Sequence, residues 1–167
     1  LGVNPITFSD DGRLFVSQCA LGDHLFELDP DGIEGPRLIS DQLGPGCGLN
    51  GMDWGPDDRL YGPRPGYNEV VRVDVENGTV ETVASGFRGR PVAVKFDSRD
   101  RLHVLDTGAG QVVHVDVATG EKEIVGLVGV GSDNLAFNAD DRLFVSSFTN
   151  SSIVEVTGPE AVRTVIP

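Results

Sequence analysis

The amino-acid sequence predicts an all-β protein built from four-stranded antiparallel units. No window of the valine-rich chain shows the 3.6-residue apolar period of a helix. The 167 residues include 22 glycines and 10 prolines, a proportion above the usual one that indicates many turns. One phrase also recurs four times along the chain. A phrase that recurs at a nearly fixed period indicates a fold built from repeated units, and the predicted fold class follows from it.

Two landmarks define the repeat. The first is a turn followed by Arg-Leu, in FSDDGRLFV (8–16), WGPDDRLYG (54–62), FDSRDRLHV (96–104) and FNADDRLFV (137–145). The second is an apolar residue further along, at Leu28, Val73, Val115 and Val156. Both landmarks keep a step of 41 to 46 residues. A unit of ~40–45 residues with four strands is typical of a β-propeller blade. We expect blades at about 1–45, 46–87, 88–129 and 130–167.

Each blade should contain four strands in order. The first ends on an aromatic residue, in ITF, GMDW, AVKF and NLAF. A turn rich in Asp and Gly leads to the second strand, and a Gly- or Ser-rich loop leads to the third, as in VVRVDV. The fourth strand lies in PRLIS, TVETVA, EKEIVG and VRTVI. A β-sandwich, the competing architecture, would not explain the fixed period. Three ways of completing a ring stay open: closure by these blades, self-association with another copy, or a longer protein.

The charge balance excludes one large class of partner. The chain has 13 basic and 26 acidic residues, a net charge of −13, and would repel a nucleic acid. Metal ions and neutral or cationic small molecules are better partners. No apolar run reaches the ~18 residues that a membrane span needs, and the first residues do not show the cationic and apolar pattern of a signal peptide.

Polar residues recur where the first strands begin. In a propeller these strands line a central channel, and one mouth is formed by the loops before the first strand and between the second and third. Four places before each aromatic end stand Asn4, Asn50, Val92 and Asp133. Three of these four residues carry side-chain oxygens, which suit a hard divalent cation. The alternative is that Asn and Asp merely cap the strands as good turn residues.

The segment NGMDWGPDDRLYG (50–62) resembles the Asn-Gly-x-Asp-Trp segment of the gluconolactonase, senescence-marker-protein and luciferin-regenerating-enzyme superfamily. The resemblance implies a six-bladed propeller with a divalent cation in its channel and Asn50 as a ligand. The family's Asp ligand is absent, because its Pro-Asp-Gly site reads Pro91-Val92-Ala93 here. Asn4-Pro5 stands where the family has a Glu. Asp133 is the carboxylate that could replace the missing one.

The resemblance implies hydrolysis of a lactone or related small ester. Asp133 and Asp106 are the candidate general bases. Arg64, Tyr67 and His24, on or beside loops of the same mouth, are candidates for binding the substrate. Asn4, Asn50 and Asp133 form the expected metal site, with Ca²⁺ as the expected cation and Mg²⁺, Mn²⁺ or Zn²⁺ as alternatives. A non-catalytic binding module is the second hypothesis, and a metal-dependent lyase of the streptogramin-inactivating type is the third.

Two further pairs of residues have alternative interpretations. His103 and His114 flank the loop TGAG and could bind a metal, but His103 shares a position with Phe15, Tyr61 and Phe144, which favours packing. Cys19 ends a second strand and Cys47 lies in the loop entering the next blade, so both belong near the mouth. They could form a disulfide or remain two free thiols.

Overall fold

The chain is a row of four four-stranded sheets. The computed structural model describes residues 2–19 and 22–167, which form sixteen strands and no helix. No helix long and apolar enough to cross a membrane therefore occurs in the described part of the chain. Each sheet is antiparallel, its strands lie in chain order, and each falls within one of the four repeats. The all-β prediction and the four-stranded blades are confirmed.

The bounds of the strands follow the repeat. Blade 1 contains β1 (Val3–Phe8), β2 (Leu14–Gln18), β3 (Leu25–Leu28) and β4 (Arg37–Ser40). Blade 2 contains β5 (Asp53–Trp54), β6 (Leu60–Arg64), β7 (Glu69–Val73) and β8 (Val80–Ser85). Blade 3 contains β9 (Pro91–Phe96), β10 (Leu102–Asp106), β11 (Gln111–Val115) and β12 (Lys122–Leu127). Blade 4 contains β13 (Ser132–Phe137), β14 (Leu143–Ser147), β15 (Ile153–Gly158) and β16 (Ala161–Ile166).

The two sequence landmarks face each other across the second and third strands. The paired residues are Leu14 with Leu28, Leu60 with Val73, Leu102 with Val115, and Leu143 with Val156. The two landmarks keep the same step because they form one cross-strand pair, repeated in every blade.

The turn before each second strand is also repeated. The residue two places before the paired leucine has a left-handed backbone, with φ of 88°, 58°, 60° and 57° at Gly12, Asp58, Asp100 and Asp141. Glycine has no Cβ to clash in this region, and Asp tolerates it better than most residues. The Asp- and Gly-rich phrase therefore specifies the tight connection between the first two strands.

Apolar side chains fill the spaces between successive blades. Alternation along each strand sends neighbouring residues to opposite faces, so Leu60 packs toward blade 1 and Tyr61 toward blade 3. The core between blades 1 and 2 includes Phe15, Leu25, Leu43, Leu49, Leu60 and Val71. The core between blades 2 and 3 includes Tyr61, Val70, Val94, Leu102, Val104 and Val113. The core between blades 3 and 4 includes Ala93, Leu105, Val112, Leu135, Leu143 and Val145.

One first strand is shorter than the sequence predicts. The strand expected from GMDW begins only at Asp53, and Gly51 lies in the turn before it. Gly51 has a φ of 62°, and a Cβ built on it would lie 2.5 Å from Cβ of Ala93. The chain thus turns sharply at Gly51 to pass beside blade 3, and ladder pairing starts two residues later.

Candidate functional site

The candidate site lies at the end of the blades where β1, β5, β9 and β13 begin, which we call the mouth. Two of the three predicted cation ligands meet there. Nδ2 of Asn4 donates a hydrogen bond of 3.3 Å to Oδ1 of Asn50. Asn4 is exposed and Asn50 is half-buried. The residues are 46 positions apart and occupy equivalent places in neighbouring blades, so the contact joins blade 1 to blade 2.

Three of the four first strands, β1, β9 and β13, have irregular pairing at the position four places before their aromatic end. The pairing of β1 with β2 shifts between Val3 and Ile6, around Asn4. The pairing of β9 with β10 shifts at Val92, and that of β13 with β14 shifts at Asp133. These shifts are β-bulges, which insert an unpaired residue and re-aim its side chain. The bulges therefore determine which of these side chains reach the mouth.

The loop that carries Asn50 is held from three sides. Oγ of the fully buried Ser17 in blade 1 donates to the Gly48 carbonyl at 2.9 Å. The Leu49 N–H donates to Pro63 at 2.6 Å, and the Gly51 carbonyl accepts from the Val94 N–H at 2.7 Å. These bonds tie the loop to blades 1, 2 and 3. Backbone hydrogen bonds therefore flank Asn50 on both sides.

A disulfide joins Cys19 to Cys47. Cys19 follows β2 in blade 1, and Cys47 lies three residues before Asn50 in the loop entering blade 2. Of the two states that the sequence left open, the structure has the bonded one. The bond crosses from blade 1 to blade 2 at the mouth.

Val92 and Asp133, which occupy the positions equivalent to Asn4 and Asn50 in blades 3 and 4, do not join the contact between the two asparagines. Asp133 is exposed, and no hydrogen bond joins its carboxylate to Asn4 or Asn50 among the described residues. Val92 is 7% exposed, and its side chain joins the core between blades 3 and 4. Nowhere in residues 2–19 and 22–167 do three His, Cys, Asp or Glu side chains gather as a metal-binding group. The oxygen donors at these positions are the two neutral amides of Asn4 and Asn50 and the separate, exposed carboxylate of Asp133, and amide and carboxylate oxygens are ligands of the kind that hard cations take.

Asp106 occupies a structural position near the mouth. Its side chain is fully buried and accepts hydrogen bonds from the Gly89 N–H at 2.9 Å and the Ala109 N–H at 3.3 Å. These contacts join the loop after β10 to the loop entering blade 3. Both carboxylate oxygens are occupied by the backbone, which leaves Asp133 as the exposed carboxylate of the two that were predicted to act as bases.

Two of the three predicted substrate-binding residues lie together. The Arg64 guanidinium lies 4.2 Å from the ring centroid of Tyr67, which is 52% exposed. Nη1 of Arg64 also lies 3.3 Å from Oε1 of Glu69. Arg64 and Tyr67 thus pack together in blade 2, with 16% of the Arg64 side chain exposed and its guanidinium beside Glu69. His24 lies in blade 1, where its ring stacks on Phe26 at 5.8 Å.

His103 and His114 lie at the opposite end of blade 3. Their ring centroids are 5.7 Å apart, and His103 packs edge-on against Phe137 of blade 4. Burial lowers the pKa of His103, although Nε2 lies 3.2 Å from Oδ2 of Asp97, which opposes the shift. Burial alone would raise the pKa of Asp97, but hydrogen bonds from Arg101 and from neighbouring N–H groups outweigh it and lower this pKa to about 2. The packing interpretation of His103 fits this environment.

Asp53, the Asp of the NGMDW segment, has a role that was not predicted from the sequence. Its carboxylate accepts a hydrogen bond from the Lys95 ammonium at 2.6 Å and one from the Phe96 N–H at 2.9 Å. Asp53 therefore clips the first strand of blade 2 to the first strand of blade 3. The available signal was a pair of opposite charges at equivalent positions of neighbouring blades, Asp53 and Lys95, where blades 1 and 4 have Thr7 and Ala136.

No protein-family model and no curated protein matches the sequence. Among solved structures, virginiamycin B lyase from Staphylococcus aureus matches 99% of this chain and 55% of its own, with 14% identity and a TM-score of 0.79. A protein described as a gluconolactonase matches 98% of this chain and 59% of its own, with 16% identity and a TM-score of 0.69. A chain of the nidogen–laminin complex matches 86% of this chain and 54% of its own, with 18% identity and a TM-score of 0.70.

This chain spans little more than half the length of each of these structures. At identities of 14% to 18% the likeness concerns the path of the backbone, since one fold supports many unrelated activities. The four sheets and these likenesses together identify the chain as a β-propeller.

Proposed function

We propose that the chain belongs to a gluconolactonase-like propeller that binds a divalent cation and a small lactone or related ester at the mouth. The observation that carries the proposal is the contact between Asn4 and Asn50, whose amides meet at 3.3 Å although 46 residues separate them. Asn50 stands in the segment through which the sequence resembles that superfamily. The activity of a whole propeller is part of the proposal, because the chain spans 59% of the gluconolactonase structure.

Different residues of the mouth would bind the cation, accept the proton of the attacking water and orient the ester. The Asn50 amide presents its oxygen to the cation, and a half-turn of the Asn4 amide presents a second one. A cation bound there would polarise the lactone carbonyl and make a bound water more acidic. Asp133 is exposed and accepts the proton of the attacking water as general base. Arg64 and Tyr67 orient the ester, with the guanidinium donating to its oxygens.

The cation should bind weakly. Two neutral amide oxygens supply little electrostatic attraction, and Asp133 is the only carboxylate of the predicted ligand set. Oxygen sites of low charge bind Ca²⁺ at about 10⁻⁴–10⁻³ M. The net charge of −13 adds a general attraction for cations that salt should screen.

Calorimetric titration with Ca²⁺, Mg²⁺, Mn²⁺ and Zn²⁺ tests the site. Asn50→Ala and Asp133→Ala should each weaken binding at least several-fold. Asp140→Ala is the matched control, because Asp140 is an exposed carboxylate of the same blade at the opposite end. The proposal fails if the wild-type chain binds none of these cations at millimolar concentration, or if the two mouth variants bind as well as the control.

A non-catalytic binding module is the second candidate, and the environments of Val92 and Asp106 favour it. A buried Val92 occupies the position of the family's Asp ligand, and the Asp106 carboxylate is occupied by backbone N–H groups. Assays on small γ- and δ-lactones with each cation separate the candidates. Turnover that disappears in Asp133→Asn supports the hydrolase, whereas lactone-dependent thermal stabilisation without turnover supports the binding module.

A further inference from the structure

We propose that the Cys19–Cys47 disulfide positions the Asn4–Asn50 pair, so that reduction of this bond weakens cation binding at the mouth. The inference rests on the proposed cation site and adds a redox dependence to it. Neither cysteine contacts the cation in this proposal. Both are positioning residues that act through the backbone segments carrying the two asparagines.

Each cysteine is one hydrogen bond away from a segment that carries one of the asparagines. The Cys19 N–H donates to the Gly2 carbonyl at 2.6 Å, two residues before Asn4. The Cys47 carbonyl accepts from the Asn50 N–H at 3.0 Å. The covalent bond thus closes a continuous path from the Asn4 segment to the Asn50 segment. Any change in the separation of the two cysteines is passed to the two amides.

The backbone around Cys47 needs such a tether. Cys47 and Leu49 have left-handed φ values of 68° and 57°, in a region that costs a residue with a Cβ about 1–2 kcal/mol. Leu49 is fully buried and hydrogen-bonded to blade 2, so packing holds it in place. Cys47 is only half-buried, and the disulfide is the bond that fixes its side chain to blade 1. Once the disulfide is broken, Cys47 can relax toward a right-handed or extended backbone. Its carbonyl, which accepts the hydrogen bond from the Asn50 N–H, then moves as well.

The other anchors of this loop hold Gly46, Gly48, Leu49 and Gly51, and not Cys47 itself. Ser17 fixes Gly48, and the Arg90 guanidinium lies 3.4 Å from the Gly46 carbonyl. Both contacts act on main-chain oxygens of glycines, which are the most conformationally free residues of the loop. The Arg90 contact does not extend to the segment that carries Asn4. Ser17 does reach that segment, but its Oγ lies a long 3.3 Å from the Asn4 carbonyl.

The bond is open to exchange with a small dithiol. Both cysteines are half-buried, and they are the two cysteines of the chain, so no internal thiol competes. A thiolate of the dithiol attacks one sulfur and releases the other as a thiolate. The second thiol of the reagent then closes its own disulfide and releases the first cysteine. Two electrons pass to the chain, which gains two protons as two thiols, and the dithiol becomes a cyclic disulfide.

The test compares the oxidised chain, the chain reduced with dithiothreitol, and the Cys19→Ser/Cys47→Ser double variant. Ca²⁺ and Mg²⁺ titrations measure affinity, since dithiols themselves bind Zn²⁺. We expect reduction and the double variant to weaken affinity roughly ten-fold or more, as loss of an outer-shell support does at other metal sites. Without cation, hydrogen exchange of the Asn50 amide should accelerate, and the side-chain amide signals of Asn4 and Asn50 should shift in NMR spectra.

A matched control separates positioning from general loss of stability. Ser98 and Asp141 clip blade 3 to blade 4 at the opposite end of the molecule, where the Ser98 N–H donates to Oδ1 of Asp141 at 3.0 Å and Oγ also contacts this carboxylate. Ser98→Ala should lower stability and leave cation affinity unchanged. Unchanged Asn50 exchange after reduction overturns the proposal, as does faster exchange with unchanged affinity. If the oxidised chain binds no cation, the proposed function fails, and the Asn50 exchange and the amide signals alone decide whether the disulfide positions the pair.

Discussion

Replacing Asp106 by Ala tests whether this carboxylate holds the mouth loops together. In the folded chain it is fully buried and accepts hydrogen bonds of 2.9 and 3.3 Å from the Gly89 and Ala109 N–H groups. Alanine removes the acceptor and leaves two N–H groups without a partner in a place that water does not reach. The loop entering blade 3 and the loop after β10 should then separate or trap a water molecule.

The magnitude follows from the two bonds. A hydrogen bond to a charged group contributes about 1.5–3 kcal/mol, and the longer bond to Ala109 belongs at the lower end. Asp106→Ala should therefore lower the free energy of unfolding by about 3–5 kcal/mol. With an unfolding entropy of about 2.1 cal/mol/K per residue, 167 residues give about 0.35 kcal/mol/K. The melting temperature should fall by about 9–14 °C.

Circular dichroism melts of four variants measure this effect. Asp106→Asn keeps one acceptor oxygen and should lose about half as much stability as Asp106→Ala. Gly89→Ala should also destabilise, because its Cβ would lie 2.4 Å from Oδ1 of Asp106. Asp133→Asn, at an exposed position, should melt with the wild type. A melting temperature of Asp106→Ala within 3 °C of the wild type would refute the structural role, and loss of lactone turnover without loss of stability would indicate a catalytic one.

Three other predictions concern pH and the contacts between blades. Stability should fall below pH ~6.5, because burial lowers the folded-state pKa of His103 and this histidine takes up a proton first in the unfolded chain. Stability should fall again below pH ~4, because Asp97 becomes protonated there in the unfolded chain, whereas its folded-state pKa is about 2. Urea titrations at pH 7, 5 and 3 measure both losses, and equal midpoints at pH 7 and 5 would contradict the first. Asp53→Ala should cost about 2–3 kcal/mol in urea unfolding, because two hydrogen bonds to β9 are lost, and a change below 0.5 kcal/mol would contradict the clip. Gly51→Ala should cost about 2–4 kcal/mol and more than Gly86→Ala, since both have left-handed φ values but only at Gly51 does a Cβ meet neighbouring atoms.

The sequence predicted the architecture because the repeat carries long-range information. Leu60 and Val73 keep the step of their counterparts in the other blades, and in the structure these landmarks are paired across strands. The same periodicity placed Asn4 and Asn50 at equivalent positions, and their side chains touch. Equivalent positions in neighbouring blades lie close together, so a repeat reports contacts that a single strand pattern cannot.

The direction of individual side chains was harder to predict. Val92 and Asp133 occupy the positions equivalent to Asn4 in blades 3 and 4. Val92 is buried between blades, whereas Asp133 is exposed. Each lies at a bulge, where one extra residue reverses which face the following side chains occupy. Nothing in the local sequence marks these bulges. The burial of Asp106 likewise depends on Gly89, which is distant in sequence and leaves room for the carboxylate.

The cystine also makes the four blades unequal as folding units. In an array of repeats, stability is close to a sum of blade terms and nearest-neighbour terms, and opening usually begins at the weakest boundary. The Cys19–Cys47 bond closes a 28-residue segment that contains β3 and β4, which in the chain-entropy description is worth about 3–4 kcal/mol at the boundary between blades 1 and 2. Blade 4 has no such bond, and all six residues of its outer strand β16 are exposed. Amide protons of blade 4 should therefore exchange through fraying, whereas those around the first boundary should exchange only when the first two blades open as one cooperative unit.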